Sequence, residues 1–209
     1  MNKKTRKIIT VGVFSALSII LYYLSFPLPI FPSFLKIQFS NLPVLIAGFS
    51  LGLPYGIGIL AVKAIIHGIT NGAGTMYVGE IADFLIGVAV LLVTTLIYNK
   101  NKTKKSAIIS LTFGCLTWVI VGAFLNWVLL APTYIKLFFN GDPSGFIGMC
   151  QIIKGINENN YMAYYIFFGT VPFNICLSVM VSIVTYLVYK RVSNFIKAEP
   201  KKSKQKEIA

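Results

Sequence analysis

Six apolar runs, separated by short polar, basic or proline-rich breaks, organise the chain. They extend from about Ile8 to Phe26, Phe39 to Leu53, Tyr55 to Ile69, Glu80 to Tyr98, Ala107 to Ala131 and Tyr161 to Tyr189. Runs of this kind with almost no charge predict helices in a bilayer, where every backbone group must be satisfied within the segment. The breaks have local causes. Pro27, Pro29 and Pro32 stop the first run, because each lacks an N–H and restricts the residue before it. Gly52-Leu-Pro-Tyr-Gly56 predicts a tight turn, and residues 71–79 form a glycine-rich loop. That loop lacks the Gly-Lys-Ser/Thr ending and the preceding strand of a nucleotide-binding loop. Gly12 with Ala16, and Gly48 with Gly52, stand four apart, the spacing that lets membrane helices approach closely.

Composition agrees with a membrane class: 56% of the 209 residues are apolar, 12% are charged, and mean hydropathy is +0.76. A net charge of +13 raises the question of nucleic acid, but the cations sit between and beyond the apolar runs. Clusters at residues 3–7, 100–105 and 190–206 hold 15 of the 19 basic residues. With six spans all three clusters fall on one side, the cytoplasmic one, and loops 27–38, 70–79 and 132–160 face outside. The expected fold class is therefore all-α: a polytopic membrane protein with six transmembrane helices and cytoplasmic N- and C-termini. Residues 1–7 form the N-terminus, 8–192 a single membrane domain and 193–209 a basic tail that favours anionic lipid headgroups. Cys115, Cys150 and Cys176 show neither metal spacing nor a paired framework.

Polar residues inside the runs are the functional candidates, since ionisable groups at membrane depth are costly. Lys63 lies in the third run, with Glu80 and Asp83 at the start of the fourth, and pairing of Lys63 with one of them is expected. Asn126 and Asn174 are amides in the fifth and sixth runs. They suit a planar heterocycle bearing carbonyls and ring nitrogens, on which Trp127 or Tyr134 could stack; bonding across helices is the alternative. Lone His67 reads as a packed or interfacial residue. No nucleophile–base order, zinc motif or ATP site is present, so an energy source must come from a gradient or a partner. A gradient-driven carrier would use Lys63 and Asp83 as a titratable pair. A membrane enzyme would need more than Glu80 with Asp83 at one face.

The run Phe26-Pro-Leu-Pro-Ile-Phe-Pro-Ser-Phe-Leu-Lys-Ile-Gln-Phe-Ser-Asn-Leu-Pro43 resembles the first loop and second helix of riboflavin-specific substrate-binding subunits of energy-coupling factor transporters. Val78-Gly-Glu-Ile-Ala-Asp-Phe84, Phe124-Leu-Asn-Trp-Val-Leu-Leu-Ala-Pro-Thr-Tyr134 and Val171-Pro-Phe-Asn-Ile175 are similar to later segments of that family, in order. The resemblance implies a non-catalytic subunit of a bacterial cell membrane, without a cofactor of its own. It would take riboflavin or a related flavin or heterocyclic vitamin from outside and dock on a membrane coupling subunit with two ATPases. It also implies that Phe34, Leu35, Lys36 and Ile37 form a lid, and that Asn126 and Asn174 contact the flavin ring. Gly79, Glu80, Asp83, Trp127 and Tyr134 complete the expected ligand set, with Gly12 and Ala16 on the docking face. The chain departs from the family pattern at Gln38, at Asp83, and at Leu177, where a lysine is usual.

Overall fold

A computed structural model describes residues 2–72 and 76–197. The expected basic tail from residue 198 and the centre of the glycine-rich loop, residues 73–75, lie outside the described residues. The order is α1 (Lys3–Tyr23), a two-stranded hairpin of β1 (Phe26–Pro27) and β2 (Lys36–Ile37), α2 (Asn41–Leu51), α3 (Leu53–Asn71), α4 (Val78–Asn101) and α5 (Lys104–Leu125). A π-helical segment (Asn126–Leu130) joins α5 to α6 (Ala131–Phe138), followed by α7 (Pro143–Met149) and α8 (Tyr161–Tyr164). A second π-helical segment (Tyr165–Thr170) leads into α9 (Val171–Lys197).

Among the described residues, five helical stretches are long and apolar enough to cross a membrane: Lys4–Tyr23, Leu53–Asn71, Val78–Asn101, Lys104–Phe138 and Tyr161–Val192. The second predicted span is shorter than expected. At 11 residues, α2 is about 16 Å long, roughly half a hydrocarbon core. Gly52 ends it: at φ +107° its backbone leaves the helical region, and α3 begins one residue later with Pro54 in its first turn. Gly52 is thus a helix stop and forms no small-residue face with Gly48. What α2 lacks in length it makes up in burial, from Asn41 and Pro43 through Phe49, so it is a central helix packed by α1, α3, α4 and α9. Gly48 permits this: a Cβ there would lie 2.5 Å from Leu91 Cδ1 and 2.8 Å from Thr95 Oγ1 of α4.

Both π-helical segments have one cause. Each ends at a residue followed by proline, Ala131-Pro132 and Val171-Pro172. Proline lacks the N–H for an i→i−4 bond, and its ring crowds the carbonyl four residues back. The chain widens by one residue, and the N–H groups of Ala131 and Val171 reach the carbonyls of Asn126 and Ile166 instead. Pro132 therefore does not end the fifth predicted span, which continues through it to Phe138, and the sixth runs through Pro172 as its predicted bounds require. The predicted 132–160 loop is correspondingly shorter and partly helical, holding α7 and most of α6. Its interior is a second apolar cluster of Ala131, Ile135, Phe146, Cys150, Ile153 and Tyr165, with Phe34 and Leu35 packed against it.

Candidate functional site

The ends of α1, α3, α4 and α9 and the first π-helical segment surround a cavity of about 800 Å³. That is the size of a small-molecule site. The hairpin and its loop, here called the flap, contribute part of its lining. Phe26 pairs with Ile37 and Pro27 with Lys36, so residues 28–35 form a loop whose two ends are tied together. Side chains alternate along the strand: Lys36 lines the cavity, while Ile37 is fully buried in the core. Phe34 and Leu35 also line the cavity, and Phe34 meets the rings of Phe146 and Tyr165, both at 5.9 Å. Phe31 anchors the flap from the other side, edge-on to Phe173 at 5.5 Å.

One wall is acidic and hydrogen-bonded. Lys63, with no exposed surface, places Nζ 2.7 Å from Asp83 Oδ2, and donates to Asn41 Oδ1 at 2.8 Å and Ser40 Oγ at 3.1 Å. The expected pairing exists, and packing selects Asp83. The other acid, Glu80, meets His67 Nδ1 at 2.9 Å, so His67 sits in this wall, against the Tyr22 ring at 3.9 Å. Gln38 Nε2 donates to Asp83 Oδ1 at 3.4 Å, and Ser40 Oγ donates to Gln38 Oε1 at 3.0 Å. The base of the flap and the α4 carboxylate are thus parts of one network. Asp83, Glu80, Gly79 and Gln38 all line the cavity.

The same cavity is lined by two amides. Asn126 Nδ2 donates to the Gly122 carbonyl at 2.8 Å, and its Oδ1 accepts from Tyr165 Oη at 2.6 Å. Asn174 Nδ2 donates to the Thr170 carbonyl at 2.9 Å. Gly122 seats both amides: a Cβ there would lie 3.0 Å from Asn174 Nδ2 and 3.1 Å from its Cγ. Tyr134, Trp118, Phe173 and Leu177 add apolar surface to the same cavity. Trp127 is not part of it. Adjacent helical residues point in different directions, so with Asn126 turned inward Trp127 is 58% exposed on the outer surface.

Tyr165, Phe146, Tyr22 and Gly122 were not among the residues singled out from the sequence. The signal available for Tyr165 was Pro172 within an apolar run, which marks a widened turn and hence a candidate functional segment. Among the described residues no group of three or more His, Cys, Asp or Glu side chains could hold a metal ion.

On α1, Gly12 and Ala16 are exposed, and nothing lies within 4 Å of a Cβ placed at Gly12.

The family described as "ECF transporter, substrate-specific component" matches residues 6–189. "Riboflavin transporter RibU" of Staphylococcus aureus (strain TCH60) is 31% identical over 195 residues, covering 93% of this chain and 94% of that protein. "Riboflavin transporter FmnP" of Bacillus subtilis (strain 168) is 27% identical over 197 residues, covering 94% and 96% respectively. A solved chain from "Structure and mechanism of the S component of a bacterial ECF transporter" superposes with a TM-score of 0.69. It is 32% identical and covers 93% of this chain and 99% of its own.

Proposed function

The chain belongs to the substrate-specific components of ECF transporters, multi-pass proteins of the bacterial cell membrane, and from that premise we propose that it binds riboflavin from outside for ATP-driven import. The observation that carries the reading is the lining of the cavity. Amides Asn126 and Asn174 and carboxylates Glu80 and Asp83 line it together with aromatic side chains. Amides suit the carbonyls and ring nitrogens of an isoalloxazine. Carboxylate oxygens accept from hydroxyl groups, as a ribityl chain offers. Phe34, Leu35 and Lys36 of the flap close over the bound vitamin, and Ile37 holds the flap to the core.

In this reading α2 completes six spans, its short length made up by the flap above it. Both termini and the 99–106 loop are then cytoplasmic, with their basic clusters. Residues 8–192 form the one membrane domain between the short N-terminus and the 193–209 tail. Transport then draws on a coupling subunit and two ATPases, as the family resemblance implies. Gly12 and Ala16, exposed on α1, form the face on which the coupling subunit packs. Buried Lys63 serves structure, holding Asp83 and the start of α2 in place.

A second reading, another heterocyclic vitamin in the same cavity, draws on one observation: Leu177, buried at 4% exposure, supplies apolar surface where a lysine would supply a donor. The optical spectrum of protein purified without added ligand decides between them. A flavin spectrum titrating to one per chain, and weakened in Asn126→Ala, supports riboflavin. A colourless protein that fails to quench added riboflavin fluorescence overturns it.

A further inference from the structure

The amide of Asn126 has a determined orientation. The Gly122 carbonyl can only accept, so it faces Nδ2 at 2.8 Å. Oδ1 is thereby turned to Tyr165, whose hydroxyl must donate, at 2.6 Å. One N–H of Asn126 is left for the cavity that this residue lines. Asn174 differs. Its Nδ2 is held by the Thr170 carbonyl, while its Oδ1 takes no donor among the described residues. The first amide turns its oxygen to Tyr165 and offers the cavity an N–H, while the second offers both a donor and an unengaged oxygen.

We propose that Tyr165 is a positioning residue that sets specificity: by donating to Asn126 Oδ1 it holds that oxygen toward itself and leaves the free N–H for the cavity, so a ligand that presents an acceptor there is preferred. The hydroxyl is held in place by its ring. Tyr165 is 2% exposed, packs edge-on to Phe146 at 5.0 Å, and meets Phe34 of the flap at 5.9 Å. Phe146 belongs to α7 and Phe34 to the flap, so the same ring joins the external loops to the recognition amide. Without the hydroxyl the Gly122 carbonyl still holds Nδ2, but Oδ1 loses its partner and is left to accept from a ligand donor. Ligand choice at this position would then relax, since a buried polar group without a partner is what makes a site reject the wrong ligand.

This inference rests on the flavin reading, and the experiment separates the two. Dissociation constants are measured by calorimetry for riboflavin, 1-deazariboflavin and 5-deazariboflavin, the analogues each lacking one ring acceptor. Wild type, Tyr165→Phe and Phe146→Leu are compared. The wild type should prefer riboflavin over at least one analogue by about tenfold, the value of one good hydrogen bond. Tyr165→Phe, which keeps the ring contacts, should reduce that preference to about threefold or less. Phe146→Leu loosens the same aromatic cluster and should weaken all three ligands alike. A wild type without preference, or a Tyr165→Phe protein that keeps it in full, overturns the role of Tyr165 and leaves riboflavin binding standing. A wild type that binds none of the three overturns both.

Discussion

Lys63→Met tests whether the acidic wall is held by the buried ammonium. The substitution keeps most of the side-chain volume but removes the ion pair to Asp83 at 2.7 Å and the bonds to Asn41 at 2.8 Å and Ser40 at 3.1 Å. Asp83 is only 15% exposed, so its carboxylate stays in a poorly solvated wall without its cation. Breaking a buried pair by removing one partner costs about 3–5 kcal/mol. For a chain of this length each kcal/mol moves the thermal midpoint by about 2–4 °C. A fall of about 6–20 °C is expected in detergent, followed by tryptophan fluorescence of the purified protein. Charge, not volume, is the cause, so the double variant Lys63→Met/Asp83→Asn should recover at least about half of the loss. A Lys63→Met midpoint within about 2 °C of the wild type would refute the reasoning, as would a double variant whose loss is the sum of the single ones.

Gly122→Ala should weaken riboflavin binding by about tenfold or more with little change in expression, because the new Cβ would stand 3.0 Å from Asn174 Nδ2 and displace an amide of the site; fluorescence quenching measures it, and unchanged affinity would show that Asn174 is free to move. Burial pushes the Cys150 thiol from 9.0 up to about 12, which leaves about a thousandfold less thiolate than an ordinary cysteine. Maleimide should therefore label Cys150 slowly in the folded protein and rapidly after denaturation. The sign for stability follows: a raised folded value means the contribution is complete below about pH 9 and is lost as pH rises toward 12. Alkaline melts of Cys150→Ser, which has no thiol to ionise, should accordingly lose less stability over that window. Replacing Gly12 and Ala16 together with leucine should leave flavin affinity unchanged, since both face outward, and abolish co-purification with the coupling subunit; intact assembly would remove α1 from the docking surface.

Helix positions were legible because a bilayer admits few solutions: long uncharged runs must be helical, and basic clusters mark their ends. The same physics made Lys63 conspicuous, since a cation in an apolar run needs a partner, and both acids lay within reach of the reading. Which acid it takes was decided by packing, through Asn41 and Ser40 at the start of α2. The amides Asn126 and Asn174 stood out as polar groups in apolar runs, but their donor and acceptor roles depend on Tyr165 and the Gly122 carbonyl, 39 and 4 residues from Asn126. Trp127 shows the opposite error: adjacency in sequence suggested a shared site, whereas one residue of helix rotation put it on the outside. Pro132 was read as the end of the fifth run and Pro172 as lying within the sixth, yet whether a proline ends a helix or widens it depends on what packs beyond it. The sequence by itself determined a membrane protein, its principal helices and the polar residues that had to be explained. Only the tertiary structure decided how far each helix runs, which polar groups satisfy one another, and which bonds are left for a ligand, because those depend on contacts between residues far apart in the chain.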